Sequence, residues 1–260
     1  MARAIIAGAG TLPALLLKAG PAHLVAFEGV EITCGGAPVI PARFEQLGRL
    51  FKTLRAEGID ELCLAGAMSR PRFDPSALDE ETSALMPRLM AAIGQGDDGL
   101  LSSVISLLEE EGFAVRAAHE LRPDLVAGEG GLAGIPTERQ LADAARARAV
   151  LAALGPLDVG QGAIVAAGQV LGIETLQGTD AMLDFVGRTR PGSRGVLVKR
   201  PKPGQDLRVD MPVIGPDTVR GAANAGLAGI EIAAGGVLLL ERGAVLAEAE
   251  ARDVAIWATP

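Results

Sequence analysis

The first half of the chain alternates short apolar runs with amphipathic segments of helical length, and this alternation restricts the fold more than any other feature. The apolar runs have the length and composition of strands, at Arg3–Ala7, His23–Phe27, Glu61–Ala65 and Phe113–Ala117. Between them, apolar residues recur close to helical spacing in Ala42–Glu57 and Gly99–Glu111, and a glycine follows each segment. Strands that alternate with helices of this length are typical of a parallel sheet.

We therefore predict an α/β protein in which residues 1–135 form a Rossmann-like N-terminal domain with a parallel sheet, and residues 136–260 form a C-terminal mixed α/β domain. Gly134–Pro136 is the predicted boundary, because Thr137–Gln140 after it has the form of a capping box and opens an Ala-rich helix to about Leu154. The further elements expected in the second domain are a strand pair within Val159–Ile173, a helix after Gly178, strands at Gly195–Lys199 and Leu207–Val213, a helix at Pro216–Ala228, and strands at Gly236–Leu240 and Ala244–Ala247.

The composition argues against several classes of partner. The chain of 260 residues has a formal net charge of −8, which disfavours broad binding to nucleic acid or to anionic lipid. Aromatic residues make up 3% of the chain, too few for stacking on single-stranded nucleic acid. No segment reaches the roughly 20 apolar residues that a membrane-spanning helix needs. We therefore expect a cytoplasmic protein.

A local excess of positive charge interrupts this acidic background. From Arg188 to Asp210 there are seven Lys or Arg residues and two carboxylates. A basic cluster in an acidic protein indicates an anionic small molecule, and phosphate is the leading candidate. Lys199, Lys202 and Arg208 are the side chains expected to contact it.

The same region predicts a metal site. If Leu207–Val213 is a strand, Asp206, Arg208 and Asp210 lie on one face of it, because side chains alternate along a strand. Two carboxylates at this spacing can hold Mg²⁺ and the phosphates that it bridges, and one of them can orient or deprotonate a water molecule. Asp206 and Asp210 are therefore the candidate metal ligands and catalytic residues. The alternative, an exposed charge ladder on a solvated strand, does not explain the cations clustered just before it.

A Gly-rich turn near the start of the chain is a candidate anion site. Ala7–Pro13 follows a strand and precedes a helix, and backbone amides at such a helix start can hold an anion, with help from the helix dipole. Its candidate contacts are Gly8, Gly10 and Thr11. Pro13 stands where the dinucleotide-binding fingerprint has its third glycine, so a tight strand–helix turn is an equal alternative.

Three further polar segments each have a structural and a functional interpretation. Gly178, Thr179 and Asp180 either cap a helix or present amides and a hydroxyl group to an anion. Asp97 and Asp98 precede a predicted helix and either cap it or act in catalysis, and capping is the favoured interpretation. Arg70 follows a strand end, where parallel sheets bind ligands, although a solvated loop charge is the commoner case.

Four segments together resemble the LpxI-type UDP-2,3-diacylglucosamine pyrophosphatases, and the resemblance runs nearly from end to end. The segments are Ala7–Pro13, the helix start Gly96–Leu101, Gly178–Met182 and Lys202–Gly215. The last two are much more specific than the Gly-rich turn.

This resemblance implies a lipid A biosynthesis enzyme that hydrolyses UDP-2,3-diacylglucosamine to UMP and 2,3-diacylglucosamine 1-phosphate (lipid X), with Mg²⁺ as cofactor. It also implies two domains with the substrate between them. Asp210 matches the family's catalytic aspartate, and Asp206, Arg208 and Gly178–Asp180 fall in matching segments. An enzyme of this kind is expected to meet its amphiphilic substrate in transient contact with the inner face of the inner membrane, and a homodimer is compatible with the sequence.

Two other functions remain open at this point. A dinucleotide-dependent oxidoreductase is suggested by the first sheet and weakened by Pro13 and by the absence of Tyr, which rules out a Tyr-x-x-x-Lys pair. A non-catalytic sugar-nucleotide-binding protein would use the same residues. Saturable NAD(P)H binding would favour the first, and substrate binding without turnover in the presence of Mg²⁺ would favour the second.

Overall fold

The computed structural model describes residues 2–68, 74–93 and 97–260, and the chain divides into two compact α/β units. Unit 1 comprises Met1–Pro123 together with Asp206–Asp210, and unit 2 comprises Asp124–Gln205 and Met211–Pro260. A protein with two α/β units, the first built on a parallel sheet, confirms the predicted fold class.

The sheet of unit 1 is entirely parallel in its described residues. Its strands are β1 (Ala2–Ala7), β2 (His23–Phe27), β3 (Val39–Ala42), β4 (Ile59–Ala65) and β5 (Ala114–Val115). They are arranged in the order β3-β2-β1-β4-β5. In open α/β sheets the ligand crevice lies outside the carboxyl ends of the strands where the strand order reverses. In unit 1 that point is between β1 and β4.

The helices of unit 1 follow the strands as the alternation predicts. They are α1 (Leu12–Leu17), α2 (Leu47–Ala56), α3 (Glu80–Ile93), α4 (Asp97–Glu110) and α5 (Ala118–Leu121). Buried Leu50 and Leu54 of α2 and Ile105 of α4 pack in one hydrophobic core with the sheet. The helix predicted from Ala42 begins later, at Leu47, because Ala42 still pairs with Phe27 in the sheet.

Unit 2 contains a mixed sheet and a separate parallel strand pair. Its strands are β6 (Gly130–Ala133), β7 (Gly162–Ala166), β8 (Gln169–Ile173), β9 (Val196–Lys199), β10 (Val213–Ile214), β11 (Gly229–Ala233), β12 (Leu238–Leu239) and β13 (Ala255–Thr259). The sheet has the order β6-β13-β11-β9-β7-β8, and β10 pairs with β12. The three central strands β13, β11 and β9 are parallel, while β6, β7 and β8 pair antiparallel to their neighbours.

The helices of unit 2 confirm the predicted capping box. They are α6 (Glu138–Leu154), α7 (Gly178–Thr189), α8 (Pro216–Asn224) and α9 (Arg242–Ala251). The backbone N–H of Gln140 donates to Oγ1 of Thr137 at 3.3 Å, and the backbone N–H of Thr137 donates to Oε1 of Gln140 at 2.7 Å. These two bonds satisfy donors that a helix start otherwise leaves without a partner.

Two predicted strands of the second domain are wrong. Ala244–Ala247 lies inside α9, because Ala, Leu and Glu are strong helix formers and Val245 and Ala249 bury one face of that helix. Leu207–Val213 is not a strand either, and only Val213–Ile214 pairs with another strand. The strands β11 and β13 were not predicted.

The division of the chain differs from the boundary at Gly134–Pro136. β6 lies before that boundary, yet Ala133 pairs with Ile256 of β13. The backbone groups of β6 thus find their partners in the second sheet, and the chain enters unit 2 at Asp124.

Among the helices of the described residues, none combines the length and the apolar composition that a bilayer-spanning segment requires.

Candidate functional site

The segment from Asp206 to Asp210 is a hydrogen-bonded turn. The backbone N–H groups of Val209 and Asp210 donate to the carbonyl oxygen of Asp206 at 3.3 and 3.2 Å. The Asp206 side chain also accepts the backbone N–H of Arg208 at 3.0 Å. Such bonds from Asp to nearby backbone compete with regular secondary structure. The prediction that Asp206, Arg208 and Asp210 share one strand face is therefore wrong, because side-chain alternation does not apply to a turn.

Asp206 and Arg208 nevertheless form a close ion pair. Nε of Arg208 lies 3.0 Å from Oδ1 of Asp206, and Nη2 lies 2.7 Å from Oδ2. Hydrogen bonds from the Arg208 side chain are the main reason that the pKa of Asp206 is lowered. Nη1 of Arg208 donates to Oε1 of Glu109 in α4 at 2.5 Å. Arg208 is thus held by two carboxylates, and no pattern in the sequence indicated Glu109.

Asp210 ends this turn and is partly buried. The preceding residue, Val209, packs against the hydrophobic core of unit 1. The backbone N–H of Asp210 is bonded to Asp206. The backbone of Asp210 is therefore held by this bond and by the packing of the preceding residue.

The described residues do not form a ready-made metal centre. Within residues 2–68, 74–93 and 97–260, no group of three or more His, Cys, Asp or Glu side chains is placed to hold a metal ion. Both carboxylate oxygens of Asp206 accept hydrogen bonds from Arg208, which makes Asp206 a poor ligand in this arrangement. Mg²⁺ commonly takes one or two carboxylates and completes its shell with water and substrate phosphates. A Mg²⁺ of that kind would need only Asp210 from this turn, and its binding stays a prediction.

A second group of predicted residues lies in unit 2, where β9 ends and α7 begins. Lys199 is the last residue of β9 and is 6% exposed. Its Nζ donates to Oγ1 of Thr179 at 2.7 Å, and Thr179 donates its hydroxyl proton to Oε1 of Glu174 at 2.9 Å. Oε2 of Glu174 lies 3.7 Å from Nζ of Lys199. We call these three residues the Lys199 cluster.

Glu174 is the member of the Lys199 cluster that sequence reasoning missed. It follows β8, and a side chain at Gly162 would overlap with Oε2 of Glu174, so that glycine makes room for the carboxylate. The sequence signal is only an acid after a strand, which does not distinguish a buried partner from a surface residue. Nζ of Lys199 also donates to the carbonyl oxygen of Val213 at 3.4 Å, and an anion contact from this ammonium group stays a prediction.

The remaining unit 2 candidates have structural partners of their own. Gly178 begins α7 with φ +83°, a conformation that favours glycine, and its N–H donates to the carbonyl oxygen of Thr175 at 2.9 Å. Asp180 lies in the first turn of α7, where a carboxylate interacts favourably with the helix dipole. Lys202 forms an ion pair with Asp158. An anion-binding role for these three residues stays a prediction.

The Gly-rich turn lies at the reversal of strand order in unit 1, but two of its backbone N–H groups already donate to other backbone groups. The N–H groups of Gly8 and Ala9 donate to the carbonyl oxygens of Ala65 and Ala67 at 2.8 and 2.9 Å. A Cβ at Gly8 would overlap with the Ala67 carbonyl group, so this position requires glycine for close backbone approach.

The other two candidate residues of this turn are Gly10 and Thr11. Gly10 has φ +103°, and Thr11 is the N-cap of α1 without a side-chain capping bond. Substrate contacts from Gly8, Gly10 and Thr11 stay predictions.

Two other candidate segments lie wholly or partly outside the described residues. Arg70 lies outside the described residues. Asp97 and Asp98 are the first two residues of α4, in agreement with a helix start there. Their side chains are outside the described part of the chain.

Comparison with known proteins covers almost the entire chain. Residues 2–125 match the LpxI N-terminal domain, and residues 129–257 match the LpxI C-terminal domain. The chain is 40% identical over 260 residues to the UDP-2,3-diacylglucosamine pyrophosphatase LpxI of Caulobacter vibrioides, with 95% of this chain and 93% of that protein aligned.

Proposed function

This chain belongs to the LpxI family, and on that premise we propose that it hydrolyses the diphosphate of UDP-2,3-diacylglucosamine. The products of this reaction are UMP and 2,3-diacylglucosamine 1-phosphate. The observation that carries the proposal is 40% identity across 95% of the chain to a relative named for this activity. The acyl groups keep such a substrate at a membrane, so the proposal includes transient contact of the enzyme with the inner-membrane surface.

The candidate residues of each unit are of the chemical types that this reaction needs. Cleavage of a diphosphate depends on neutralising the charge of the phosphoryl group and on orienting a water molecule. Asp210 is the carboxylate that would orient or deprotonate the water. Lys199, a buried ammonium group, and Arg208, a guanidinium group held by Asp206 and Glu109, are the cations that would contact phosphate.

The proposed cofactor is Mg²⁺, which Asp210 would hold. A cation of this kind would neutralise charge on the diphosphate. Asp206 is assigned a different role, because its carboxylate is paired with Arg208 at 2.7 Å. In this proposal Asp206 is a positioning residue for Arg208.

The variant Asp206→Asn distinguishes a positioning role of Asp206 from a role as a metal ligand. Asn keeps an acceptor for the backbone N–H of Arg208 and removes the charge that holds its guanidinium group. We expect KM for the substrate to rise by about 3- to 30-fold, with the Mg²⁺ concentration at half-maximal rate unchanged. A substantial rise in that Mg²⁺ concentration would instead make Asp206 a metal ligand.

The proposed activity is tested by following UMP release from UDP-2,3-diacylglucosamine by the purified full-length protein, with and without Mg²⁺. Release that depends on Mg²⁺ is the expected result. Release of UMP without Mg²⁺ would support the hydrolase activity and contradict the proposed cofactor. Tight binding without release would contradict hydrolysis and favour a sugar-nucleotide-binding protein. Absence of both binding and release, together with saturable NAD(P)H binding, would favour the oxidoreductase alternative.

A further inference from the structure

A groove runs along one edge of the unit 2 sheet, between the edge strand β8 and α7. It has a cavity volume of about 460 Å³, and its lining includes Val170, Ile173, Met182 and Phe185, with Thr175 and Gln177 from the connection between strand and helix. Of the described residues, those that line the groove are uncharged, although 22% of the chain is charged. Such a lining favours an apolar ligand over an ionic one.

The groove exposes large apolar side chains to solvent. Phe185 on α7 is 51% exposed and Val170 on β8 is 39% exposed. Leu176, in the connection that leads into α7, is 93% exposed. Single exposed apolar residues are common, but several beside one uncharged groove indicate a surface that binds an apolar partner.

Met182 connects this groove to the Lys199 cluster. Met182 lines the groove and is 6% exposed. Its methyl carbon lies 3.3 Å from the Cβ position of Gly162, and the Glu174 carboxylate borders that same position. Thr179 precedes Met182 by three residues on α7, and residues at that spacing are neighbours on a helix. A buried ammonium group and an apolar groove are therefore adjacent parts of one unit.

We propose that the groove between β8 and α7 binds an acyl chain of the substrate. This inference rests on the proposed function, because the proposed substrate carries its acyl groups on the sugar that bears the diphosphate. Anionic and apolar groups of one molecule then match the Lys199 cluster and the adjoining groove. The groove volume is within the range of small-molecule sites, about 300–1,000 Å³.

The proposal predicts that KM depends on the length of the acyl chain and that variants in the groove remove this dependence. Each methylene buried in an apolar site improves binding by about fourfold. For the native protein we expect KM to fall in steps of up to that size as the acyl chains of a substrate series are lengthened, until the groove is full. Ala181→Phe places a large ring in the groove, since Ala181 also lines it, and Phe185→Ser removes apolar surface at its edge.

The experiment measures kcat/KM for substrates with short, medium and long acyl chains in the native protein and in these two variants. Both variants are expected to flatten the dependence on chain length, so that the longest substrate loses far more kcat/KM than the shortest. Ile135→Ser is the matched control, because Ile135 is an exposed apolar residue outside the groove, 90% exposed. It is expected to keep the native dependence.

Three outcomes would overturn the proposal, and each is distinguishable from failure of the proposed function. If both variants cleave the substrates with the native chain-length dependence, the acyl chain binds elsewhere. If the Ile135→Ser control flattens the dependence as much as the groove variants do, the effect is not local. If Phe185→Ser lowers the molar mass in light scattering from dimer to monomer and leaves the dependence intact, the groove binds a second copy. Absence of cleavage of every substrate by the native protein would instead contradict the proposed function.

Discussion

Replacing Asp210 with Ala is expected to reduce kcat by about 10²–10⁴-fold, the range for loss of a general base. The expected reason is that Asp210 acts on the attacking water and on Mg²⁺, while other groups bind the uridine and the acyl chains. Substrate affinity should therefore change much less than turnover. Single-turnover kinetics would measure the chemical step, and calorimetric titration of the variant would measure affinity.

Asp206→Asn is the matched control for this variant, because Asp206 lies in the same turn and carries the same charge. Only the Asp210 variant should show a large loss in the rate of the chemical step. Near-native kcat in Asp210→Ala would remove Asp210 from the reaction. A similar loss of kcat in both variants, with lowered thermal stability, would indicate disruption of the turn and not of catalysis.

Replacing Lys199 with Met is expected to lower both the stability of the protein and its affinity for substrate. Met fills a similar volume, but it leaves the carboxylate of Glu174 buried without its cation. Removing one partner of a buried ion pair typically costs about 3–5 kcal/mol of unfolding free energy. Denaturant unfolding would measure that change, and KM would report the lost phosphate contact.

The double variant Lys199→Met/Glu174→Gln separates these two effects. Gln retains an acceptor for the hydroxyl group of Thr179 and removes the unpaired charge, so most of the lost stability should return. The affinity for substrate should not return, because the ammonium group is still missing. If KM recovers together with stability, Lys199 has a structural role only and is not a phosphate contact.

Sequence patterns predicted the elements that are stabilised by interactions between residues close together in the chain. The start of α6 follows from Thr137 and Gln140, whose capping bonds join residues three positions apart. The helix–strand alternation likewise identified most of the first sheet. The error at Leu207–Val213 arose because the alternation of apolar and charged residues resembles a strand, while the Asp206 side chain bonds to nearby backbone and stabilises a turn.

Long-range partners were the features that the sequence did not reveal. Arg208 bonds to Glu109, which is 99 positions away, and Lys199 bonds to Thr179, which is 20 positions away. Nothing in either local segment specifies such a pair, because the contact depends on how the elements pack. The same holds for β6, whose partner strand β13 is the last in the chain.

The turn from Asp206 to Asp210 has a consequence for the order in which the protein matures during synthesis. Unit 1 receives its last five residues only after the ribosome has made most of unit 2. An N-terminal fragment that ends at Pro123 lacks Val209 against its core and Arg208 beside Glu109. Because Asp210 belongs to those late residues, the first unit cannot carry this carboxylate, for which we propose a catalytic role, before the second unit is largely made.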